Sequence, residues 1–300
     1  MACCGVGARL QKRKRRPLSA GQAEDIGTPS RCRMQEVLVR QKIALQKNEF
    51  KAGRETLIFI HGLAGSSSAW SDHVNGFSSQ FNLVLLDLRG HGKSHRYPAF
   101  SDYLPSHFSE DIDAVFSDLS ISDATLVSHS FGCLVALEYA ATRPDRIKKV
   151  VFISPRFGAP NRVLLFASWA ASVPVKFIGK LLSGSSIPRR LDYKDFPRNT
   201  DFNPKRMCGD IANTGLRTYL HCIRHALRLD HERKASLVGC PVLLVHGDAD
   251  RVFPFAHALH AQKVMPHARL VRVPKANHVV VLTHIDLLHD EIERFVSASV

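Results

Sequence analysis

The chain has 300 residues, 45% of them hydrophobic, which is enough for a sizeable core in a single domain. Lys and Arg number 41 against 27 Asp and Glu, so the formal net charge is +14. The sequence argues against a membrane-spanning protein, because it lacks an apolar run of about 18 residues, and against a secreted one, because the N-terminus lacks an apolar signal core. Seven scattered cysteines without paired metal spacing favour reduced thiols over disulfides or a metal site.

The N-terminal part of the chain is strongly basic. Residues 1–54 hold thirteen Lys and Arg against four Asp and Glu, and we predict a disordered tail over residues 1–34. A basic block at residues 12–16 follows Cys3 and Cys4, and an acylated cysteine pair beside such a block is a sufficient membrane anchor. A basic tail without a dedicated partner explains the pattern equally well, and a nuclear signal or a mitochondrial presequence is a further alternative.

Nucleic-acid binding is disfavoured, because no aromatic residues interleave with the basic block. We therefore expect a cytoplasmic protein, with peripheral membrane contact through the basic N-terminus as one alternative and a mitochondrial location as another.

Apolar segments typical of strands follow the tail. Residues 36–50 are predicted to form two antiparallel strands, and residues 57–60 and 83–86 two more. Asp87 and Arg89 come directly after the last of these segments. We interpret them as a structural pair that ties the turn together.

The most informative motif is SHSFG at residues 128–132, which lies between an apolar run at residues 124–127 and a helix-like segment at residues 134–141. A serine at a sharp turn from a strand into a helix is exposed for nucleophilic attack. Such a turn needs small residues on both sides of the serine, and Ser128 stands where glycine is usual. Ser130 is therefore the candidate nucleophile.

Two backbone N–H groups are candidates for an oxyanion hole. Acyl transfer builds negative charge on a carbonyl oxygen, and preorganised N–H donors stabilise that charge. One donor is Leu63, within a glycine-punctuated loop at residues 61–70, and the other is Phe131, directly after Ser130. Neither donor depends on its side chain.

A long insertion follows the next predicted strand, residues 149–153. It runs over about residues 156–238, which is more than eighty residues and exceeds the usual connection between a helix and a strand. Its first part is strongly apolar, and Trp169 and Phe177 are predicted to bind the acyl chain of a substrate. The alternative is that these side chains pack the insertion onto the core. Residues 205–228 are predicted to form a second helical segment.

Polar side chains follow the last two predicted strands. Residues 241–245 lead into a loop with Asp248 and Asp250, and residues 270–273 lead into a loop that ends at His278. A histidine is the usual base for a serine nucleophile, and a carboxylate orients it. Asp248 has the alternative role of an aspartate that stabilises the turn.

These motifs resemble the α/β-hydrolase family over residues 36–298. Within it, the chain is most similar to the lipase and esterase branch, which contains the monoacylglycerol-lipase-like and α/β-hydrolase domain-containing proteins. The resemblance implies one α/β domain over residues 35–300 with a mostly parallel eight-stranded sheet flanked by helices. It also implies that the insertion at about residues 156–238 forms a helical lid.

The resemblance also assigns roles along the chain. The family order of serine, then acid, then histidine puts the acid and the base after the last two strands. Asp250 stands at the spacing where the family places its acid, and His278 is the base. No metal and no organic cofactor are implied. A serine nucleophile excludes the branches that attack with aspartate, such as soluble epoxide hydrolases and haloalkane dehalogenases. Some acyltransferase relatives carry an acid five positions after the histidine, and Thr283 stands there instead.

We therefore predict a serine hydrolase that cleaves a carboxylic ester through an acyl-enzyme on Ser130. The substrate is expected to be a hydrophobic or lipid ester. The alternatives are a non-catalytic binding or scaffold protein on the same fold, and an acyltransferase that uses the same acyl-enzyme.

Overall fold

One eight-stranded sheet lies at the centre of the structure. The computed structural model describes residues 32–158, 163, 166, 167, 169, 170, 190–193, 200, 201 and 203–298. The strands in these residues are β1 (Gln35–Val39), β2 (Ile43–Lys47), β3 (Thr56–Ile60), β4 (Asn82–Leu86), β5 (Ala124–His129), β6 (Ile147–Ile153), β7 (Val242–Gly247) and β8 (Arg269–Val273). Their order across the sheet is β1-β2-β4-β3-β5-β6-β7-β8. β2 is antiparallel to both of its neighbours and all other pairs are parallel, which confirms the predicted mostly parallel sheet.

Helices cover both faces of the sheet. The α-helices in the described residues are α1 (Val74–Phe77), α2 (Pro105–Asp118), α3 (Phe131–Thr142), α4 (Pro204–Thr214), α5 (Leu216–Arg228), α6 (His231–Ala235), α7 (Ala256–Val264), α8 (Val280–Thr283) and α9 (Ile285–Ser297). Short 3-10 turns lie at Arg40–Lys42, Ser67–His73, Phe100–Tyr103 and Pro144–Arg146. The fixed φ of Pro105 and its missing N–H suit the first position of α2.

Strand side chains alternate between two hydrophobic cores, one on each face of the sheet. In β3, Ile58 and Ile60 belong to the core that contains the buried faces of α2 and α3. Leu57 and Phe59 belong to the core that contains the buried faces of α8 and α9. A parallel strand buried on both faces has a continuous apolar sequence, which is why a short apolar run sufficed to predict it.

The predicted helical segment over residues 205–228 consists of two helices, α4 and α5, which meet at Gly215. Gly215 has a φ of 89°, which side-chain-bearing residues rarely adopt, so the helix ends there. The Gly215 N–H still donates to the carbonyl of Ile211 at 2.7 Å.

Asp87 and Arg89 are structural, but the prediction that they pair with each other is wrong. The Arg89 guanidinium donates to the buried carboxylate of Asp111 on α2 at 2.6 and 2.7 Å. Asp87 accepts instead from the Lys93 N–H at 3.0 Å and from Arg190 Nε at 2.9 Å. The two residues therefore hold the turn to different parts of the molecule.

Several predictions concern residues that lie outside the described part of the chain. They include the basic block at residues 12–16, the anchor at Cys3 and Cys4, and the substrate contact of Phe177. Within the described ranges, no helix combines the length and the apolar character needed to cross a membrane.

Candidate active site

Ser130 lies at the apex of the sharp turn between β5 and α3. Its backbone has a φ of 52° and a ψ of −117°, a conformation that costs energy for any residue with a side chain. The turn is held by the Ser130 N–H, which donates to the Ile153 carbonyl at 2.9 Å, and by the Cys133 N–H, which donates to the Ser130 carbonyl at 2.9 Å. The predicted strand, turn and helix around the serine are therefore present.

Close packing explains the small residues on either side of Ser130. A Cβ atom on Gly132 would lie 2.6 Å from the backbone carbonyl oxygens of Ile60 and His61, so a larger residue does not fit. Ser128 is fully buried, and its hydroxyl donates to the Val151 carbonyl on β6 at 2.9 Å. Serine is accepted in the usual glycine position because the neighbouring strand satisfies its hydroxyl.

His278, in the loop after β8, joins Ser130 to Asp250. Its Nε2 lies 2.9 Å from Ser130 Oγ, and its Nδ1 lies 2.8 Å from Asp250 Oδ2. An ionised carboxylate can only accept, so Nδ1 carries the proton and Nε2 accepts from the serine hydroxyl. His278 and Asp250 are 8% and 5% exposed. The arrangement is that of a nucleophile, a base and an acid that orients the base.

The Asp250 carboxylate receives several hydrogen bonds. Its Oδ1 accepts from the backbone N–H groups of Val252 at 2.9 Å and Phe253 at 2.7 Å. Burial alone would raise the pKa of Asp250, but hydrogen bonds from His246, His278 and Phe253 outweigh it and hold the pKa below its usual value. Asp250 is thus ionised at neutral pH and can stabilise a positive charge on His278.

Asp248 lies on the same loop and binds elsewhere. Its Oδ1 accepts from the Lys275 N–H at 2.6 Å, and its Oδ2 lies 3.0 Å from the Arg272 guanidinium. These contacts match the turn-stabilising role that the sequence left open. The structure brings Asp250, rather than Asp248, to His278.

The loop after β3 approaches Ser130 closely. A Cβ atom on Gly62 would lie 3.3 Å from Ser130 Cβ. His61 holds the loop, because its Nδ1 donates to the Gly62 carbonyl at 2.7 Å and its Nε2 accepts from the Leu88 N–H at 3.0 Å. Burial lowers the pKa of His61 to about 4, so the neutral ring that makes both bonds is present at neutral pH.

The two predicted oxyanion donors lie beside the nucleophile. Leu63 and Phe131 both line the cavity around Ser130. Phe131 is the first residue of α3, and the first N–H groups of a helix have no partner within the helix. Among the described residues, no group accepts a hydrogen bond from either N–H.

His129 contacts the backbone of His278. Its Nε2 donates to the carbonyl of His278 at 2.9 Å. Burial lowers the pKa of His129 to about 3, so it is neutral at neutral pH. It supports the loop of His278 and does not compete with it as a base.

A cavity of about 530 Å³ opens beside Ser130, and its described lining is largely apolar. The insertion contributes Met207 and Ile211 from α4, and Tyr219, Ile223 and Leu227 from α5. These positions are four residues apart, so each set lies on one face of its helix. The same spacing is visible in the sequence, and it could have identified these lining residues.

Trp169, one of the two predicted substrate contacts, lies within the described residues. Trp169 is 48% exposed and packs against Phe166 with ring centroids 5.8 Å apart. It is not among the described residues that line the cavity. A contact of Trp169 or Phe177 with substrate stays a prediction.

A polar group interrupts the apolar lining. The Tyr193 hydroxyl donates to Asp210 Oδ1 at 3.1 Å, and both residues line the cavity together with Arg206. Burial raises the pKa of Asp210 to about 7, although the hydrogen bond from Tyr193 and the charge of Arg206 lower it. At neutral pH the cavity therefore holds a carboxyl group that gains and loses its proton readily.

The raised pKa of Asp210 predicts a pH-dependent stability. Between about pH 4 and pH 7 the folded protein binds this proton more tightly than the unfolded chain, so its contribution to stability falls as the pH rises through that window. Asp210→Asn removes the titration and keeps an acceptor for Tyr193. We expect the variant to gain several degrees in Tm relative to wild type at pH 8, and little at pH 5.

Thermal unfolding of both proteins at the two pH values measures this difference. Asp145→Asn, which changes an exposed carboxyl on the 3-10 turn Pro144–Arg146, serves as the control. Parallel pH profiles of wild type and Asp210→Asn would contradict the prediction.

The described residues contain no group of three or more His, Cys, Asp or Glu side chains arranged to hold a metal ion.

Comparison with known proteins agrees with this architecture. A family model described as alpha/beta hydrolase fold matches residues 55–285. The probable lysophospholipase BODYGUARD 1 of Arabidopsis thaliana is 23% identical over 280 residues, covering 80% of this chain, and the chain spans only 58% of that protein's length. A solved hydrolase from Pseudomonas aeruginosa PA01 is 18% identical with a TM-score of 0.69 and covers 88% of this chain and 98% of its own. The solved carboxylesterase CesB (YbfK) of Bacillus subtilis is 19% identical with a TM-score of 0.62. The match covers 91% of this chain and 94% of the esterase chain.

Proposed function

The chain belongs to the α/β-hydrolase family, and we propose that it is a serine hydrolase that cleaves a carboxylic ester. The observation that carries this proposal is the continuous hydrogen-bonded chain from Ser130 Oγ through His278 to Asp250 Oδ2. Labelling with a fluorophosphonate, which reacts with activated serines, and loss of that labelling in Ser130→Ala test it.

In the proposed reaction, Ser130 Oγ attacks the carbonyl carbon of the ester while His278 Nε2 takes the hydroxyl proton. Asp250 stabilises the imidazolium that forms. His278 then gives the proton to the oxygen of the leaving alcohol, and the acyl group stays on Ser130 as an ester. Water attacks this acyl-enzyme with His278 again as the base, which releases a carboxylic acid and restores the serine.

The carbonyl oxygen gains negative charge in both halves of the reaction. In our proposal it accepts hydrogen bonds from the N–H groups of Leu63 and Phe131, both of which line the cavity beside Ser130. Loss of one such donor typically costs about a hundred-fold to a thousand-fold in turnover. The turn at Ser130 makes Phe131, the residue directly after the proposed nucleophile, the first residue of α3.

The apolar stripes of α4 and α5 support a hydrophobic ester as substrate. If they contact the acyl chain, each buried methylene is worth about 0.8 kcal/mol, so two added methylenes should raise kcat/KM roughly ten-fold until the cavity is full. Leu227→Ala should flatten this dependence and leave an acetyl ester almost unaffected. The measurement is kcat/KM for p-nitrophenyl esters of increasing acyl length.

Leu259→Ala is the matched control, because Leu259 on α7 is 54% exposed and is not among the described cavity residues. It should keep the wild-type dependence on chain length. Trp169→Ala in the same ester series tests the predicted contact of Trp169. A steady fall of kcat/KM from the acetyl ester upward would rule out the hydrophobic substrate and favour a small ester.

Two alternatives make different predictions. An acyltransferase would pass the acyl group to an added alcohol. Some acyltransferase relatives carry an acid five positions after the histidine, but here Thr283 takes that position and bonds to His284 Nδ1 at 2.8 Å, which disfavours this alternative. A non-catalytic binding protein would not react with a fluorophosphonate. The intact contact between Ser130 and His278 favours hydrolysis over the binding role.

A further inference from the structure

Asp201, in the insertion three residues before α4, binds the two loops that carry Asp250 and His278. Its Oδ1 accepts from the backbone N–H of His278 at 2.5 Å. Its Oδ2 accepts from the backbone N–H of Arg251 at 2.9 Å. Arg251 directly follows Asp250 in the chain. One carboxylate therefore joins the backbone beside the acid to the backbone of the base.

Asp201 is itself held in place. It is 7% exposed, and its backbone carbonyl accepts from Arg206 Nη2 at 2.7 Å. Arg206 is 6% exposed and lies in the first turn of α4, where Asn203 Oδ1 accepts from its N–H at 2.9 Å. The start of α4, in the insertion, thus holds the backbone of Asp201, and the two loops bind its carboxylate.

Backbone hydrogen bonds already join the two loops, from the Asp248 N–H to the Val273 carbonyl and from the Ala249 N–H to the Ala276 carbonyl. Asp201 adds a contact to the backbone N–H of His278 itself. Hydrogen bonds to an ionised carboxylate are about twice as strong as neutral ones, and a 1 Å misplacement of a reacting group can cost about a hundred-fold in rate. The hydrogen bonds of Asp250 to Val252 and Phe253 stay within one loop, so they do not set where that loop stands relative to His278.

We propose that Asp201 is a positioning residue, which aligns His278 and Asp250 with each other and so with Ser130. Through Asp201, the insertion that lines the substrate cavity also controls the geometry of the base. The inference rests on the proposed serine-hydrolase function.

Asp201→Asn is the variant that tests it, because it nearly preserves the volume of the side chain and replaces one acceptor oxygen with an NH2 group that faces a backbone N–H. We expect kcat for a short ester to fall about a hundred-fold, while KM stays within about two-fold. The rate of fluorophosphonate labelling should fall in parallel, since it also needs His278 aligned with Ser130.

Asp248→Asn is the matched control. Asp248 also links the loops after β7 and β8, through the Lys275 N–H, but it does not contact Asp250 or His278. If Asp201 only stabilised the fold, Asp201→Asn would behave like Asp248→Asn: its Tm would fall and its kcat would stay near the wild-type value. The low-field proton NMR resonance of the His278 Nδ1 proton, bonded to Asp250, gives a second readout. It should move or vanish in Asp201→Asn and persist in Asp248→Asn.

Wild-type kcat and an unchanged low-field resonance in Asp201→Asn would overturn the proposal. If Asp201→Asn shows no cooperative unfolding transition, it has not folded, and Arg206→Met is the variant to test instead. This change removes the hydrogen bond from Arg206 that holds the Asp201 carbonyl to α4. It should lower kcat in the same direction and shift the same resonance, and wild-type values of both would overturn the proposal. Failure of the proposed function itself is distinct, since wild type would then show no labelling that depends on Ser130.

Discussion

Ser130→Ala should abolish both fluorophosphonate labelling and ester turnover. Loss of the nucleophile from such a site costs about a million-fold in kcat, because the residual rate comes only from binding and the oxyanion donors. The fold should survive, since the change removes a single hydroxyl and alanine is no larger than serine. Turnover of a p-nitrophenyl ester and covalent labelling, each normalised to folded protein by thermal unfolding, measure the effect.

Ser128→Ala is the matched control for this result. Ser128 lies two residues earlier and is fully buried, and its hydroxyl bonds to the Val151 carbonyl rather than facing the cavity. The control should lose some stability and keep its labelling. Labelling of purified Ser130→Ala at the wild-type rate would show that another residue is the nucleophile.

Asp250→Asn should lower kcat by about ten-thousand-fold. The N–H groups of Val252 and Phe253 both donate to Asp250 Oδ1, so the amide oxygen of an asparagine must take that place. Its NH2 group then faces His278 Nδ1, which can no longer be protonated there. The proton moves to Nε2, which faces Ser130 and loses the ability to accept the serine proton.

Asp248→Asn should reduce kcat far less, because its partners are the Lys275 N–H and the Arg272 side chain. Steady-state kinetics of the two variants under the same conditions give the comparison. The reverse ranking would move the acid to Asp248. Equal and small losses in both variants would show that His278 does not need an acid to orient it.

The predictable part of this protein lies in patterns a few residues long. Central strands such as residues 57–60 are buried on both faces and are therefore continuously apolar. The turn at Ser130 forces small residues to either side, because a Cβ on Gly132 would clash with the backbone of β3 and of the residue after it. Gly215 marks the end of α4, and the four-residue apolar spacing marks the cavity faces of α4 and α5.

The hydrogen-bond partners of several polar side chains depend on which elements the fold brings together. The family spacing favoured Asp250 over Asp248, but both residues follow β7 closely, and the direction of each side chain depends on the fold. Arg89 pairs with Asp111 on α2 instead of with Asp87, since α2 brings a buried carboxylate to it. Asp201 carried no local signal, because its partners lie 50 and 77 residues away in the chain.

The sequence by itself determined the eight-stranded α/β architecture, the nucleophile turn at Ser130 and the histidine that follows the last strand. Burial on both faces of a sheet, and a backbone turn that admits only small neighbours, leave their mark on adjacent residues. Only the tertiary structure decided that Arg89 pairs with Asp111 and that the Asp201 carboxylate, from the insertion, accepts from the His278 N–H. It also showed the contact between Asp250 and His278 directly. Hydrogen bonds between distant loops depend on the packing of whole elements, and no short stretch of sequence records that packing.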